Sequence, residues 1–176
     1  LHAAAARLGL FFMHGNRDFL VGQAFLDGCG ARLLPDPTVL AAHGQRWLLS
    51  HGDALCLDDH DYQRFRAEVR SPAWQQGFLA RPLAERQSIA RGLRNESEAR
   101  KGSGAAYADA DAALVDAWLS ASGANTLIHG HTHRPAEHAL ASGRRRIVLS
   151  DWDAQARPAR LQVLRLATSG LQRIDL

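Results

Sequence analysis

The sequence predicts an α/β (α+β) fold, in which buried strands and their helices are interrupted by a helical insertion. Three short apolar runs, at residues 8–13 (LGLFFM), 46–50 (RWLLS) and 126–129 (TLIH), each stop at a polar loop containing glycine. That is the pattern of a buried strand ending at a sheet edge. From Asp59 the apolar period changes, with Tyr62, Phe65, Arg66 and Val69 at helical spacing. After Gly123 the chain returns to short strand-like runs. The expected organisation is one domain over residues 1–176 with a helical insertion at about 59–122.

Taken in order, an Ala-rich amphipathic stretch leads into the first strand, which stops at His14-Gly15-Asn16. Residues 21–29 form a short helix closed by Gly30. Residues 32–34 and 39–42 are strands around the turn Pro35-Asp36-Pro37, and the strand at 46–50 runs into His51-Gly52-Asp53. Trp74, Phe78, Leu79, Leu83, Ile89 and Leu93 continue the helical region, which is broken at Pro72 and Pro82. A second helical pattern over 106–122 is carried by Leu114, Val115, Trp118 and Leu119 and closed by Gly123. The strand at 126–129 enters His131-Thr132-His133-Arg134-Pro135, and further strands follow at 138–141, 145–149, 161–166 and 171–174.

At 176 residues, 46% hydrophobic and 22% charged, the chain has the composition of a globular domain that needs no covalent staples. Two cysteines, Cys29 and Cys56, do not make a disulfide framework; small buried thiols in a reducing cytosol are expected. No run reaches the roughly 18 apolar residues of a spanning helix, and no signal peptide is apparent, so a cytoplasmic location is expected. The net charge of +3 is concentrated between Asp59 and Gly104, where nine basic residues face six acidic ones. Such a face suits phosphates or an anionic membrane surface, or is a solvated helical surface.

The strand ends carry the chemistry. His14-Gly15-Asn16-Arg17-Asp18, Ser50-His51-Gly52-Asp53 and His129-Gly130-His131-Thr132-His133 each gather metal-capable groups. Loops at the carboxyl ends of neighbouring buried strands converge, because the sheet fixes their separation. Neutral imidazole suits Mn, Fe or Zn, and an Asn carbonyl favours a harder ion. In an extended chain His131 and His133 would point to the same face. A single histidine at a strand end is usually structural; three such clusters together point to a metal site. His2, His43, His60 and His138 lack this context and are read as surface or core residues.

Gly15-Asn16, then His51-Gly52-Asp53, then Gly130-His131-Thr132-His133 resemble the last three metal motifs of the calcineurin-like metallophosphoesterase superfamily. More narrowly, residues 14–20 (HGNRDFL), 50–59 (SHGDALCLDD) and 129–135 (HGHTHRP) resemble the UDP-2,3-diacylglucosamine pyrophosphohydrolases of bacterial lipid A synthesis. The match runs over nearly the whole chain, in order. Arg17, where the wider superfamily usually has His, narrows it to this branch.

The resemblance implies a four-layered αββα sandwich and two Mn²⁺ ions per complete site. It implies attack of activated water on the α-phosphorus, giving UMP and 2,3-diacylglucosamine 1-phosphate (lipid X). By position, Asn16, His51 and His131 would bind one ion and His133 would serve the other, with Asn16, Arg17 and His131 as the catalytic group. Arg17 would grip the diphosphate. Asn16, Arg17, His131, Asp59, Ser97 and Lys101 would contact substrate. Asp59 is otherwise a helix N-cap. Asp18 and Asp53 would orient ligands from behind, or simply bond their loops. Gly104 stands where the family usually has Lys. The insertion would form a lid over the acyl chains, with Trp74, Phe78 and Leu79 as pocket candidates or as helix core.

The family's first two motifs, which supply an Asp, a His and a bridging Asp, have no counterpart after Leu1. The expectation is of a chain without its N-terminal part, short of ligands for the second ion and inactive alone. Peripheral contact with the cytoplasmic face of the inner membrane is expected from an amphiphilic substrate. Two rival readings are a metallophosphoesterase for a nucleotide or another phosphodiester, and a non-catalytic fragment or anion-binding module. Nucleic acid is not an expected partner, since no interleaved aromatic platform is present.

Overall fold

The computed structural model describes residues 1–102 and 108–176, with side chains described for 1–95 and 108–176. The chain runs through α1 (His2–Ala5), β1 (Leu10–Met13), α2 (Gln23–Cys29), β2 (Ala31–Leu34), β3 (Thr38–Ala42) and β4 (Gln45–Ser50). Helices α3 (His60–Val69), α4 (Pro72–Leu79), α5 (Leu83–Gly102) and α6 (Ala112–Ser122) follow. The remainder is β5 (Thr126–His129), β6 (Ala136–Ala139), β7 (Arg145–Val148), β8 (Gln162–Ala167) and β9 (Gly170–Asp175). The chain divides into two compact units, residues 1–56 with 109–176, and residues 57–108.

The first unit is built on a mixed sheet of order β3-β4-β5-β7-β6. Strands β4, β5 and β7 are parallel, with antiparallel β3 and β6 at the edges. Alternation along each strand separates two apolar faces. Leu48 and Leu127 pack with Val115 and Leu119 of α6, together with Leu55 and Ala124. Trp47, Ile128 and Ile147 point the other way, against Leu164, Leu166 and Leu171 of the antiparallel β8–β9 pair. The layers are therefore helix, mixed sheet and strand pair. Burying each such Leu, Ile or Val contributes about 1.5–3 kcal/mol, which fixes the central strands.

A second, parallel pair, β1–β2, is connected through α2. The helix is held by Leu26, 1% exposed, and closes at Gly30 in the left-handed region, φ 70°. A Cβ at Gly30 would lie 2.8 Å from that of Ala5, so only glycine fits. The two strands around Pro35-Asp36-Pro37 do not pair with each other. β2 joins β1 and β3 joins β4, so this turn carries the chain from one sheet to another.

The C-terminal limit of the insertion also differs from expectation. Helix α6 starts at Ala112, where Asp111 accepts a hydrogen bond from Leu114 N at 2.7 Å, and its apolar stripe is core of the first unit. The Asp111 N–H also donates to Leu55 O at 2.8 Å. The second unit thus ends at 108, not 122.

In that second unit, Asp59 caps α3 by accepting from Tyr62 N at 3.1 Å, and Ser71 caps α4 with Pro72 at its first position. Val69 and Phe78 are buried there, and Trp74 stacks on Phe78 with ring centroids 4.8 Å apart. Both cysteines are free thiols, Cys56 buried and Cys29 half-buried. Among the described residues no helix is long and apolar enough to cross a membrane.

Candidate metal centre

Parallel pairing brings the strand ends to one edge. Ser50 stands opposite His129, and His129 opposite Val148, so the loops after β4, β5 and β7 leave side by side. Hydrogen bonds tie them: Gly130 N donates to His51 O at 3.0 Å, and Leu149 N donates to His129 O at 2.7 Å. The first of these loops is pinned from the sheet-switching turn. Asp36 accepts from Ser50 Oγ at 2.7 Å and from His51 N at 3.2 Å.

The loop after β1 comes to the same place. Asn16 N donates to His51 Nε2 at 3.2 Å, which ties the first loop to the second. Gly15 permits the approach, because a Cβ there would lie 2.9 Å from His51 Cε1. Asp18 holds the loop by accepting from Gly15 N at 2.5 Å, so its carboxylate serves its own turn. Arg17 is exposed.

The rings of His51 and His131 meet edge to face, with centroids 5.2 Å apart. Burial, reinforced by the neighbouring His51, pushes His131 down to about 4, against the pull of Asp53. His131 is therefore neutral at pH 7. Asp53 is fully buried beside it. His129 is also fully buried and is pushed to about 4 chiefly by burial. Its Nδ1 lies 2.9 Å from Gly130 O, and its Nε2 has no hydrogen-bond partner.

One expectation needs correction. His131 and His133 are not in an extended chain: both have positive φ, 63° and 53°, with Thr132 N bonded to Gly130 O at 2.7 Å. This tight turn removes the two-residue alternation. His131 is turned toward His51, while His133 Nδ1 faces Asp151 Oδ2 at 3.9 Å. Further, among the described residues no three His, Cys, Asp or Glu side chains are grouped to hold one ion. What is assembled is Asn16, His51, Asp53 and His131 at one edge, with His133 beside Asp151. Two imidazoles and an Asn fit a borderline divalent ion by donor type, and the neutral His131 ring supports that fit.

Asp59 lies in the second unit as the α3 cap. Ser97 and Lys101 fall within α5, with side chains outside the described residues, and Gly104 lies wholly outside them. Sequence reasoning missed Asp36 and Asp151. Asp36 was hidden between two prolines in a turn. Asp151 follows β7, and a rule that every parallel strand contributes its terminal loop to the same edge would have found it.

No family model matches the chain. Several curated proteins do, all called UDP-2,3-diacylglucosamine hydrolase. One from Chromobacterium violaceum is 55% identical over 150 residues, covering 84% of this chain and 63% of that protein. One from Xanthomonas campestris is 46% identical over 97% of this chain and 72% of its own length. One from Bordetella pertussis is 45% identical, over 100% of this chain and 70% of its own length. The chain thus spans 63–72% of the length of these relatives.

Proposed function

The chain belongs to the UDP-2,3-diacylglucosamine hydrolase family, and from that premise we propose that the protein carrying it cleaves the pyrophosphate of UDP-2,3-diacylglucosamine in lipid A biosynthesis. The products are UMP and 2,3-diacylglucosamine 1-phosphate, with water attacking the α-phosphorus. The observation that carries the reading is the meeting of Asn16, His51 and His131, from three separate strand ends, with the two imidazole rings edge to face and His131 neutral.

The cofactor assigned is Mn²⁺, two ions per complete site, with Asn16, His51 and His131 toward one ion and His133 toward the other. When bound, the ions supply an ionised water near neutral pH and positive charge opposite the phosphates. The chain's own groups do the rest. Burial keeps His131 neutral and so available as a donor at physiological pH. Arg17, exposed on the first loop, offers a planar fork of donors to the diphosphate. Asp53 places a buried negative charge near His131.

In the helical unit, Asp59, Ser97 and Lys101 are assigned to the sugar and phosphates, and Trp74, Phe78 and Leu79 to the acyl chains. The exposed Leu79 and Leu83 and the stacked Trp74–Phe78 pair support an apolar ligand. Because the proposed substrate is amphiphilic, the reading includes peripheral contact with the cytoplasmic face of the inner membrane.

The acyl assignment has a direct test. Burying even four methylenes at about 0.8 kcal/mol each is worth more than roughly 100-fold. A UDP-sugar without acyl chains should lose at least that much in kcat/KM; comparable values for both substrates would refute it.

A further inference from the structure

Asp151 occupies the third strand end of the edge, in the loop after β7, and none of the roles above uses it. Its carboxylate is gripped by one guanidinium. Arg160 Nε donates to Oδ1 at 2.9 Å and Nη2 donates to Oδ2 at 2.8 Å, the parallel fork in which Arg holds a carboxylate in one orientation. Arg160 is itself anchored. Its backbone bridges Asp153 in both directions, at 2.8 and 3.0 Å, and its Nη2 also reaches Asp153 Oδ2 at 3.3 Å. Trp152 Nε1 donates to Gln162 O at 2.8 Å, tying the same loop to β8. The carboxylate is thus fixed from behind.

In front of it stands His133. Asp151 Oδ2 lies 3.9 Å from His133 Nδ1, with the acid 17% exposed and the ring 62% exposed. The acid is covered and bonded through both oxygens, whereas the ring is open and sits on a tight turn. Which nitrogen of a histidine carries its proton is set by what the other one meets.

We propose that Asp151, clamped by Arg160, is a positioning residue for His133: it holds the Nδ1 proton and leaves Nε2 as the lone pair that the ring presents outward. The inference rests on the reading of His133 as a metal-binding residue for its purpose, though not for its geometry. A carboxylate behind a ligating histidine fixes both tautomer and ring orientation, and losing it typically costs 10–100-fold in metal affinity. A loop staple would explain the Arg160–Asp151 fork alone, and would leave the His133 tautomer indifferent to Asp151.

The experiment is ring-nitrogen NMR of His133 in metal-free, ¹⁵N-labelled protein at a pH where the ring is neutral, followed by Mn²⁺ titration calorimetry. The wild type should show the Nδ1–H form, although free imidazole side chains favour Nε2–H. Asp151→Ala should move His133 toward Nε2–H and weaken Mn²⁺ binding by about tenfold or more. Asp151→Asn, which keeps an acceptor oxygen, should retain much of the Nδ1–H form. Arg160→Met leaves the acid present but unclamped and should give a mixture, so the test survives if Asp151→Ala does not fold. Nε2–H in the wild type, or one tautomer in the wild type, Asp151→Ala and Arg160→Met alike, would overturn the inference. A wild type that shows Nδ1–H but binds no Mn²⁺ would sustain the positioning and overturn the metal reading instead.

Discussion

Replacing Gly52 by Ala tests how tightly the strand-end loops are bound together. Gly52 has φ 106° and ψ −12°, a conformation side chains adopt only under strain of about 1–3 kcal/mol. The added Cβ would lie 2.6 Å from His129 Nδ1 and 3.2 Å from Gly130 O. His129 is fully buried, so its ring has no open space to move into. Overpacking of this kind typically costs a further 1–3 kcal/mol. The sum, about 2–6 kcal/mol, corresponds to a fall in melting temperature of roughly 4–24 °C for a chain of this size. The control is Gly28→Ala, inside α2, where an added Cβ meets nothing within 4 Å. There the loss of unfolded-state freedom should stabilise by about 0.5–1 kcal/mol. Circular dichroism melts of the two variants should therefore move in opposite directions from wild type. A Gly52→Ala protein melting within 2 °C of wild type, on the scale of about 2–4 °C per kcal/mol, would refute the close packing inferred at this edge.

Other predictions follow from the same geometry. Asp36→Ala removes acceptors for Ser50 Oγ and His51 N, and should cost about 1–3 kcal/mol in denaturant unfolding as well as weakening Mn²⁺ binding; an unchanged midpoint and affinity would count against its pinning role. Arg146 donates to Asp109 at 2.7 and 3.1 Å and so lowers that carboxyl from 3.8 to about 2. A depressed acid stabilises the fold above its unfolded value and loses that contribution as pH falls, here between 3.8 and about 2. Arg146→Met should flatten the acid limb of a stability–pH profile in that window, and an identical limb would refute the assignment.

The strands that build the edge were legible because their apolar runs are short and end abruptly. The run at 126–129 coincides with β5, and 46–50 differs from β4 by one residue. What single-chain periodicity does not carry is pairing. Nothing local says that β2 leaves for β1 while β3 turns to β4, because register is a long-range property of buried faces. The same reason hid Asp151, whose significance comes only from β7 lying beside β5. The start of α6 was misplaced because the Ala-rich stretch before it has helical propensity, while the helix begins where Asp111 supplies a cap. The histidine pair was misread for a backbone reason: the Gly130–Thr132 turn sets both φ values positive, overriding the alternation of an extended strand. Residue types at the site were readable from the sequence, but their orientations were not.

The central claim is that Asn16, His51, His131 and His133 serve one Mn²⁺-dependent hydrolytic centre. It is tested most directly by UMP release from UDP-2,3-diacylglucosamine by the protein carrying this chain, with and without Mn²⁺, alongside Asn16→Ala and His133→Ala. The account predicts release that requires Mn²⁺ and falls by more than roughly 100-fold in either variant, the scale of losing a group that acts in the transition state. Release that is indifferent to Mn²⁺, or near-normal turnover in either variant, would contradict it.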